Sequence, residues 1–544
     1  MKKIKILLLT ALFAGTTLSC KDQLDVKNPN QPTPASAATE NGVIALAQGG
    51  VYVNGFSTTA NKYYDGVVGA FFNGVLGFHD IMGDQIGVEA ANSYLNQLGC
   101  PDEVTLDDGT KVINPNSPTS QIALLRSVNV NAQQGGNPGF HEWATMYGLN
   151  NSCNSVLDVA SKTTFTGDAA AKLKTIQAWA YFWKGFAYSR IGSMYYAGLI
   201  NNTASATNGN YVTKEKVIEE ANANFDKAAA LLAGLSSAGY QTILGQLIPD
   251  FSQSGKGGIL TSAQWIKVIN TMKARNILVN TPIASMTAAQ WGQVLTLTNA
   301  GITSADKVFT GSTNGNGDIF SASTYNVAAR CVGSNASGGT YKVSERLIQD
   351  FRTGDKRLDQ NFTKVATWIG NSDRGNAFNT RWRLMDGGTG VRDGGVPVMT
   401  YTNRTVGAGE MYLAGSYEEN ELMKAEAKLA TGDVAGAVQS INAVRTLQGA
   451  GLAPLASTSA TAVAEELRSE RRVALAFRGL SFYDARRSGI ITSGRTNCVV
   501  VSRTGVVNTK ASIKYGFLDY WDVPDNELAY NPAAAGSAAI KNPK

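Results

Sequence analysis

The sequence is poor in cysteine, histidine and charged residues, and each shortage excludes a class of protein. Five Cys in 544 residues are too few for a small domain held together by disulfides. Charged residues make up 17% of the chain, below the roughly one quarter that is usual for globular proteins. The chain has no long basic run, which argues against nucleic acid as the main partner. Beyond the first twenty residues, no apolar run is long enough to cross a membrane.

The chain also lacks the common catalytic and metal-binding motifs. His141 and Glu142 begin like the zinc motif HExxH, but Thr145 stands where the second His belongs. The segment 234–238 resembles a nucleophile elbow and fails at its last position, Ala238. A pair of glycosidase carboxylates has no fixed spacing, so a hydrolase is not excluded by motif alone. The sequence therefore predicts a protein that is not an enzyme and has no cofactor, and bound Ca²⁺ is not indicated.

The N-terminus is typical of a bacterial lipoprotein signal. Three Lys among the first five residues precede an apolar stretch over 6–18, and small residues lead to Cys20. We expect residues 1–19 to be a signal peptide and Cys20 to become the lipidated first residue. The following segment is rich in Pro and small polar residues, which predicts a flexible tether over 20–40. The folded body would then be a single domain over 41–544.

Helical periodicity dominates that body. In the clearest case, two helices flank Thr431, Gly432 and Asp433, where Gly suits a left-handed helix end and Asp suits the next N-cap. So short a turn makes the helices antiparallel, as in tetratricopeptide repeats. An ordinary helical domain without repeats is the alternative. The predicted helices cover 142–162, 169–191, 213–233, 263–280, 287–300, 418–430 and 434–448.

Long polar stretches separate these helices, and they carry the candidate binding residues. They cover 92–139, 234–262, 301–340 and 361–410 and are rich in Gly, Asn, Ser and Thr with scattered aromatics. Long loops usually carry function, and flat apolar sugar faces pack on aromatic rings while polar groups bind the hydroxyls. The alternative is that these rings only anchor loops. The candidate ligand contacts are Tyr94, Tyr325, Trp368, Arg374 and Trp382.

Several spaced motifs follow one another along most of the chain. The first is Trp143, Tyr147, Asn151 and Asn154, the second covers 178–192, and Asp355 and Arg357 belong to a third over 341–357. Further motifs cover 421–445, 468–489 and 524–532. In this order they resemble the SusD/RagB family of nutrient-binding outer-membrane lipoproteins: its first two helices, a spaced pattern in its middle, its last repeat, its C-terminal helix and its closing segment.

The resemblance implies an all-α, SusD-like fold in which tetratricopeptide-like helix pairs carry long loop-rich insertions. It implies a non-catalytic binder, lipid-anchored at the outer membrane and exposed at the cell surface. Its expected partners are a glycan or oligosaccharide, with peptide as a possible ligand, and a SusC-like TonB-dependent transporter that receives it. Two alternatives stay open: a helical-repeat scaffold that binds another protein at the cell surface, and a secreted glycoside hydrolase.

Two further expectations concern the charged residues of the C-terminal segment and the cysteines. Glu470 and Asp484 are expected to pair with Arg471, Arg486 or Arg487 in a buried network, with a solvated charged face as the alternative. If Cys20 is lipidated, the other four thiols allow two disulfides, whose pairing the sequence does not determine. These thiols are Cys100, Cys153, Cys331 and Cys498.

Overall fold

The structure is a computed structural model that describes residues 37–53, 76–88, 94–253, 255–312, 341–370, 377, 379–384 and 410–544. Its helices are α1 (Glu40–Gln48), α2 (Leu76–Met82), α3 (Leu95–Leu98), α4 (Gln121–Val128), α5 (Pro138–Ala160), α6 (Ala169–Met194), α7 (Lys214–Leu232), α8 (Ala238–Leu247), α9 (Ser262–Val279), α10 (Ala288–Asn299), α11 (Glu345–Ile348), α12 (Lys356–Asn361), α13 (Tyr417–Ala430), α14 (Val434–Leu447), α15 (Ala460–Ala474), α16 (Ser481–Arg487), α17 (Ile490–Ser493) and α18 (Asp525–Leu528).

The strands are short and pair into small antiparallel sheets. They are β1 (Ile86–Val88), β2 (Glu103–Thr105), β3 (Lys111–Ile113), β4 (Ala197–Gly198), β5 (Val212–Thr213), β6 (Thr310–Ser312), β7 (Tyr341–Val343), β8 (Phe362–Ile369), β9 (Thr380–Leu384), β10 (Glu410–Tyr412), β11 (Arg495–Val501) and β12 (Val507–Lys514). The largest described sheet has the order β11-β12-β2-β3, and the pairs β1-β7, β6-β10, β4-β5 and β8-β9 form separate sheets.

The long helices form a continuous array in which each packs on the next. Contacts run from α5 through α6, α7, α9, α10, α13 and α14 to α15. All seven helices predicted from periodicity are present, with ends shifted by a few residues. Gly432 has a φ of 90°, and the Asp433 carboxylate accepts a 2.8 Å hydrogen bond from the Gly436 amide. The all-α fold with tetratricopeptide-like helix pairs is thereby confirmed.

Aromatic side chains fill the centre of this array. Helix α6 contributes Trp179, Phe182 and Trp183, and all three are fully buried. Trp265 from α9 meets Trp179 edge-on with ring centroids 6.2 Å apart, and Phe309 meets Trp183 at 5.5 Å. Edge-to-face pairs of this kind add to the free energy gained from burial alone. The array therefore has a dense aromatic centre, and a second, smaller apolar cluster lies between α9, α10 and α13.

Some stretches that we expected to be loops contain regular structure. Helix α8 lies inside 234–262, where the Ser237 side chain caps the amide of Tyr240 at 3.4 Å. Helix α4 lies inside 92–139, and β8 and β9 lie inside 361–410. The reading of these parts as loops was wrong because ten residues or fewer give a weak periodic signal. The remainder of 301–340 after β6 lies outside the described residues.

The predicted buried network exists, but part of its predicted pairing was wrong. Glu470 accepts hydrogen bonds from Arg357 at 2.6 Å and from Arg445 at 2.9 Å, both from other helices. Asp484 does pair with Arg471, at 2.8 Å. Arg486 instead donates to backbone carbonyls, including that of Ser193 at 2.6 Å. The pairs of Glu470 thus join different helices, while Arg487 pairs with Glu426 at 2.7 Å and lies 3.8 Å from Asp484 on its own helix.

The C-terminal segment 468–489 is not one continuous helix. Helix α15 ends at Ala474 and α16 begins at Ser481. Between them Phe477 and Gly479 have positive φ values of 59° and 67°, which α-helical backbone does not allow. This break turns α16 back toward α2, which it contacts.

The described cysteines form no disulfide with one another. Cys100, Cys153 and Cys498 are all buried, and burial raises the pKa of Cys153 to about 12 and that of Cys498 to about 11. Cys20 and Cys331 lie outside the described residues. Among the helices that the structure describes, none combines the length and apolar character that a membrane crossing requires.

Candidate functional site

The antiparallel hairpin of β8 and β9 carries two of the predicted ligand contacts, Trp368 and Trp382. In its register Trp382 lies opposite Lys364. Both indoles are half-buried, so each keeps part of its ring at the surface. The two tryptophans were expected in loops, and that part of the prediction was wrong. Trp382 stands in the regularly paired part of the hairpin, whereas Trp368 lies in the part of β8 between Lys364 and Ile369 where the register shifts.

The hairpin is braced by the turn that connects β11 and β12. The indole of Trp368 lies against Gly505, whose φ is 84°. A Cβ at Gly505 would overlap the indole, so this position favours glycine for both its conformation and its space. Beside it, the Asn379 side-chain amide donates a 3.1 Å hydrogen bond to the carbonyl of Ser502. The orientation of Trp368 is thus set by a second hairpin.

Glu345, at the start of α11, accepts several hydrogen bonds from β9. Its carboxylate accepts a 2.7 Å hydrogen bond from the Arg381 amide and a 2.9 Å bond from Nη2 of the same residue. The Thr380 hydroxyl adds a longer bond of 3.3 Å. Hydrogen bonding to Glu345 raises the pKa of Arg381. Glu345 is 2% exposed, so these charge-assisted bonds form almost out of water.

The next residue, Arg346, joins the hairpin to the helical body. Its guanidinium donates 2.7 and 3.0 Å hydrogen bonds to the two carboxylate oxygens of Asp84, and a 2.8 Å bond to the carbonyl of Ala377. It also reaches the carbonyl of Val499 on β11 at 3.2 Å. Burial acts to raise the pKa of Asp84, but Arg346 and Arg495 hold it well below its usual value. We call Glu345 and Arg346 the clamp.

Tyr94 lies outside this hairpin. It precedes α3 in a left-handed conformation with φ 57°, and its half-buried ring packs against the main core. Among the described aromatic pairs, none joins Tyr94 to Trp368 or Trp382. Tyr94 and Trp382 thus both rest on the main core, but Tyr94 lies outside the hairpin that the two tryptophans share.

Three other predicted residues, Cys20, Tyr325 and Arg374, lie outside the described residues. Sequence reasoning did not assign the clamp or Asp84 to the site. The signal was present in part, because the family-like pattern over 341–357 includes the positions beside Glu345 and Arg346. The pattern did not identify the partner of each charged residue, because Asp84 and Arg346 are far apart in the sequence and come together only in the folded chain.

A cleft that the sequence did not predict opens between the end of α9 and the C-terminus. It encloses about 730 Å³ and is lined by Tyr196, Tyr520, Lys214 and Asn280, among others. The Tyr520 ring already has Arg486 4.0 Å from its centroid and the Lys214 ammonium at 4.8 Å. These cations occupy the ring faces that a sugar would need. The cleft therefore offers polar groups but little free stacking surface.

The two histidines lie inside the protein, away from these surfaces. His79 and His141 are 0% and 4% exposed. His79 Nε2 is 3.0 Å from Glu142, which also pairs with Arg190 at 2.5 Å. Burial lowers the pKa of His79 and outweighs the effect of Glu142. Within the described ranges, no group of three or more acidic, His or Cys side chains is arranged to hold a metal ion.

The profile of the SusD family matches residues 252–533, slightly more than half of the chain. No curated protein matches the sequence. Among solved structures, the surface glycan-binding protein A of Bacteroides uniformis is similar, with a TM-score of 0.54 at 15% identity over 91% of this chain and 98% of that one.

A SusD-like carbohydrate binding protein from Bacteroides vulgatus gives a TM-score of 0.52 at 16% identity over 93% of both chains. A SusD superfamily protein from Parabacteroides distasonis gives 0.52 at 13% identity, over 86% of this chain and 98% of that one. At such identities these likenesses concern the fold, which agrees with the helical array described above. Together with the profile match, they lead to one conclusion: the chain belongs to the SusD family.

Proposed function

We propose that this protein is a non-catalytic binding lipoprotein of the cell surface that captures a glycan and delivers it to a SusC-like TonB-dependent transporter. The observation that carries the glycan part is the hairpin: two half-buried tryptophans stand on paired strands that the buried clamp fixes to a helical body. A rigid aromatic platform suits sugar binding because ordering it costs little on association. Structural neighbours from Bacteroides bear names of glycan-binding and carbohydrate-binding proteins, which supports the same reading.

The proposed ligand contacts are Trp368 and Trp382, with Tyr94, Tyr325 and Arg374 as further candidates. The indoles would stack on the apolar faces of sugar rings. Lys364, opposite Trp382 and exposed, is placed to bind hydroxyl groups at the same surface. Contacts of this kind give modest affinity for each sugar, and a polymer would gain by offering many of them.

The membrane part of the proposal rests on the N-terminal sequence. Lipidation of Cys20 would attach the tether over 20–40 to the outer membrane and hold the binding surface near a transporter. A tether raises the local ligand concentration at the pore, so a weak site still delivers efficiently. Mass spectrometry of the native N-terminus tests the anchor. Co-purification of a large TonB-dependent transporter from outer membranes tests the partner.

The glycan part is tested with the purified protein on a glycan array, followed by titration calorimetry with the best ligand. We expect Trp368→Ala and Trp382→Ala each to weaken binding by about tenfold, because a buried aromatic contact is lost. Tyr530→Ala is the matched control, since Tyr530 is 83% exposed and outside the hairpin. Equal affinity of all three variants would contradict the assignment of this surface. Release of shorter sugars from the ligand would contradict a non-catalytic role and favour the hydrolase.

A further inference from the structure

A cavity of about 340 Å³ near the start of β11 contains more positive than negative side chains. Four arginines line it, together with two acids. The adjoining cavity of about 240 Å³ shares Arg468, Ile490 and Arg495 with it, so the two spaces meet around these side chains. Glu465, also in the lining, is 55% exposed, so the cavity reaches solvent. The charged lining residues are Arg346, Arg352, Arg468, Arg495, Asp350 and Glu465.

The carboxylates in and behind this cavity are already engaged by other arginines. Asp350 pairs with Arg468 at 2.7 Å through one oxygen and with Arg472 through the other. Glu465 accepts two bonds from Arg468, at 2.8 and 2.7 Å. The carboxylate oxygens of Asp350 and Glu465 therefore already accept hydrogen bonds from neighbouring arginines.

Asp84, behind the cavity, is the acid nearest to Arg495 and is equally committed. It accepts from Arg346 through both oxygens, from the Ser344 hydroxyl at 2.9 Å and from the Tyr515 hydroxyl. These bonds leave Asp84 little room for a further donor.

Arg495 receives no hydrogen-bond acceptor from the residues that the structure describes. Its side chain is 12% exposed, and its closest carboxylate contact is the 3.7 Å separation between Nε and an oxygen of Asp84. Within the described part of the chain, its guanidinium makes no hydrogen bond, and its Nε is buried and unsatisfied. Arg472 lies close enough for the charge of Arg495, after the larger effect of burial, to lower the pKa of Arg472. Burial acts to lower the pKa of Arg495, but Tyr515, Asp84 and Asp350 raise it overall. The guanidinium therefore stays charged at the cavity and keeps donors that no described residue accepts from.

We propose that this cavity binds a small oxyanion, a carboxylate, sulfate or phosphate group, with Arg495 as its principal contact. The planar guanidinium presents paired donors that match two oxygens of such a group, which an ammonium cannot do. The group can arrive as a free inorganic ion or as the acidic substituent of a sugar, for which a 340 Å³ space has room. The site does not depend on glycan capture by the tryptophan hairpin, because an inorganic ion can bind at Arg495 without any sugar.

The test is titration calorimetry of the full chain with sodium sulfate, sodium phosphate and sodium glucuronate at constant ionic strength. Neutral glucose and sodium chloride serve as blanks. We expect saturable binding of at least one oxyanion and none of glucose. Binding of the inorganic ions without glucuronate identifies a free ion as the source, and preference for glucuronate identifies an acidic sugar. Absence of saturable binding by all three oxyanions would overturn the proposal.

Arg495→Gln should weaken the binding by about tenfold or more, and Arg495→Lys, which keeps the charge but loses the planar fork, should lie between it and the wild type. Lys514→Gln is the control, because it removes one charge from the neighbouring strand β12 at a site that is 67% exposed. Equal affinities of Arg495→Gln and Lys514→Gln would overturn the assignment. Far-UV circular dichroism tests whether each variant is folded. If Arg495→Gln does not fold, the affinity of Arg495→Lys decides whether Arg495 binds the oxyanion.

Discussion

The helical array and the hairpin region are stabilised by different forces, and the difference determines what a sequence reveals about each. The array is filled by aromatic rings, several of them neighbours on α6, such as Trp179, Phe182 and Trp183. The hairpin region is held by buried charges that come from distant segments, such as Asp84, Arg346 and Glu345. Apolar packing tolerates exchange of similar residues, whereas a buried ion pair fails when either partner is removed. The array is therefore a general framework, and the hairpin region depends on particular pairs.

The largest effect is expected from Trp183→Ala in the array. Trp183 is fully buried, with ring centroids of Phe182 and Phe186 at 5.0 and 5.4 Å. Truncation leaves a large cavity and should lower the free energy of unfolding by about 4 kcal/mol. Urea unfolding followed by far-UV circular dichroism measures the loss. Tyr181→Ala on the same helix is the control, because Tyr181 is only partly buried; equal losses in both variants would show that the rings do not form a single core.

A slightly smaller effect is expected from Glu470→Ala, which removes the carboxylate that α15 contributes to the buried charged network. Arg357 and Arg445 both donate to Glu470, and removal of the carboxylate leaves their guanidinium groups buried without it. We expect a loss of about 3 kcal/mol in the same urea measurement. Glu465→Ala is the matched control on the same helix, since Glu465 is 55% exposed and pairs with Arg468 near the surface. Its loss should stay below about 1 kcal/mol.

Should both glutamate variants lose equally little, the buried network would be ordered but energetically neutral. The burial of Arg357 at 1% exposure argues for the opposite result, because water cannot replace the lost carboxylate there.

The comparison also explains which features could be predicted from the sequence. The pair α13 and α14 could be predicted because its periodicity and the turn at Gly432 and Asp433 are local. The short helix α8 was missed since its ten residues lie in a polar stretch. Strand pairings such as Ser512 opposite Thr105 join segments from opposite ends of the chain, and no local pattern records them.

The candidate site shows the same division. Trp368 and Trp382 were found because aromatic residues are unusual in a polar stretch. Their placement on a hairpin was not predicted, because it depends on the clamp and on Gly505, which approach only in the folded chain. Residue type thus identified candidates for binding, while the supports that orient them required the structure.

The smallest effect on stability, and the most local, is expected from Glu345→Gln. The amide oxygen can still accept from the Arg381 backbone, but the charge-assisted bonds to its guanidinium are lost, which should cost about 1 kcal/mol. The clamp predicts that hydrogen exchange will quicken in β8 and β9, as measured by mass spectrometry, while the array keeps its protection. Glu103→Gln is the control, because Glu103 pairs with Lys111 and Lys514 in a different sheet. Unchanged exchange in β9 would mean that Arg346 and Asn379 suffice to hold the hairpin, and that the two regions differ less than their contacts indicate.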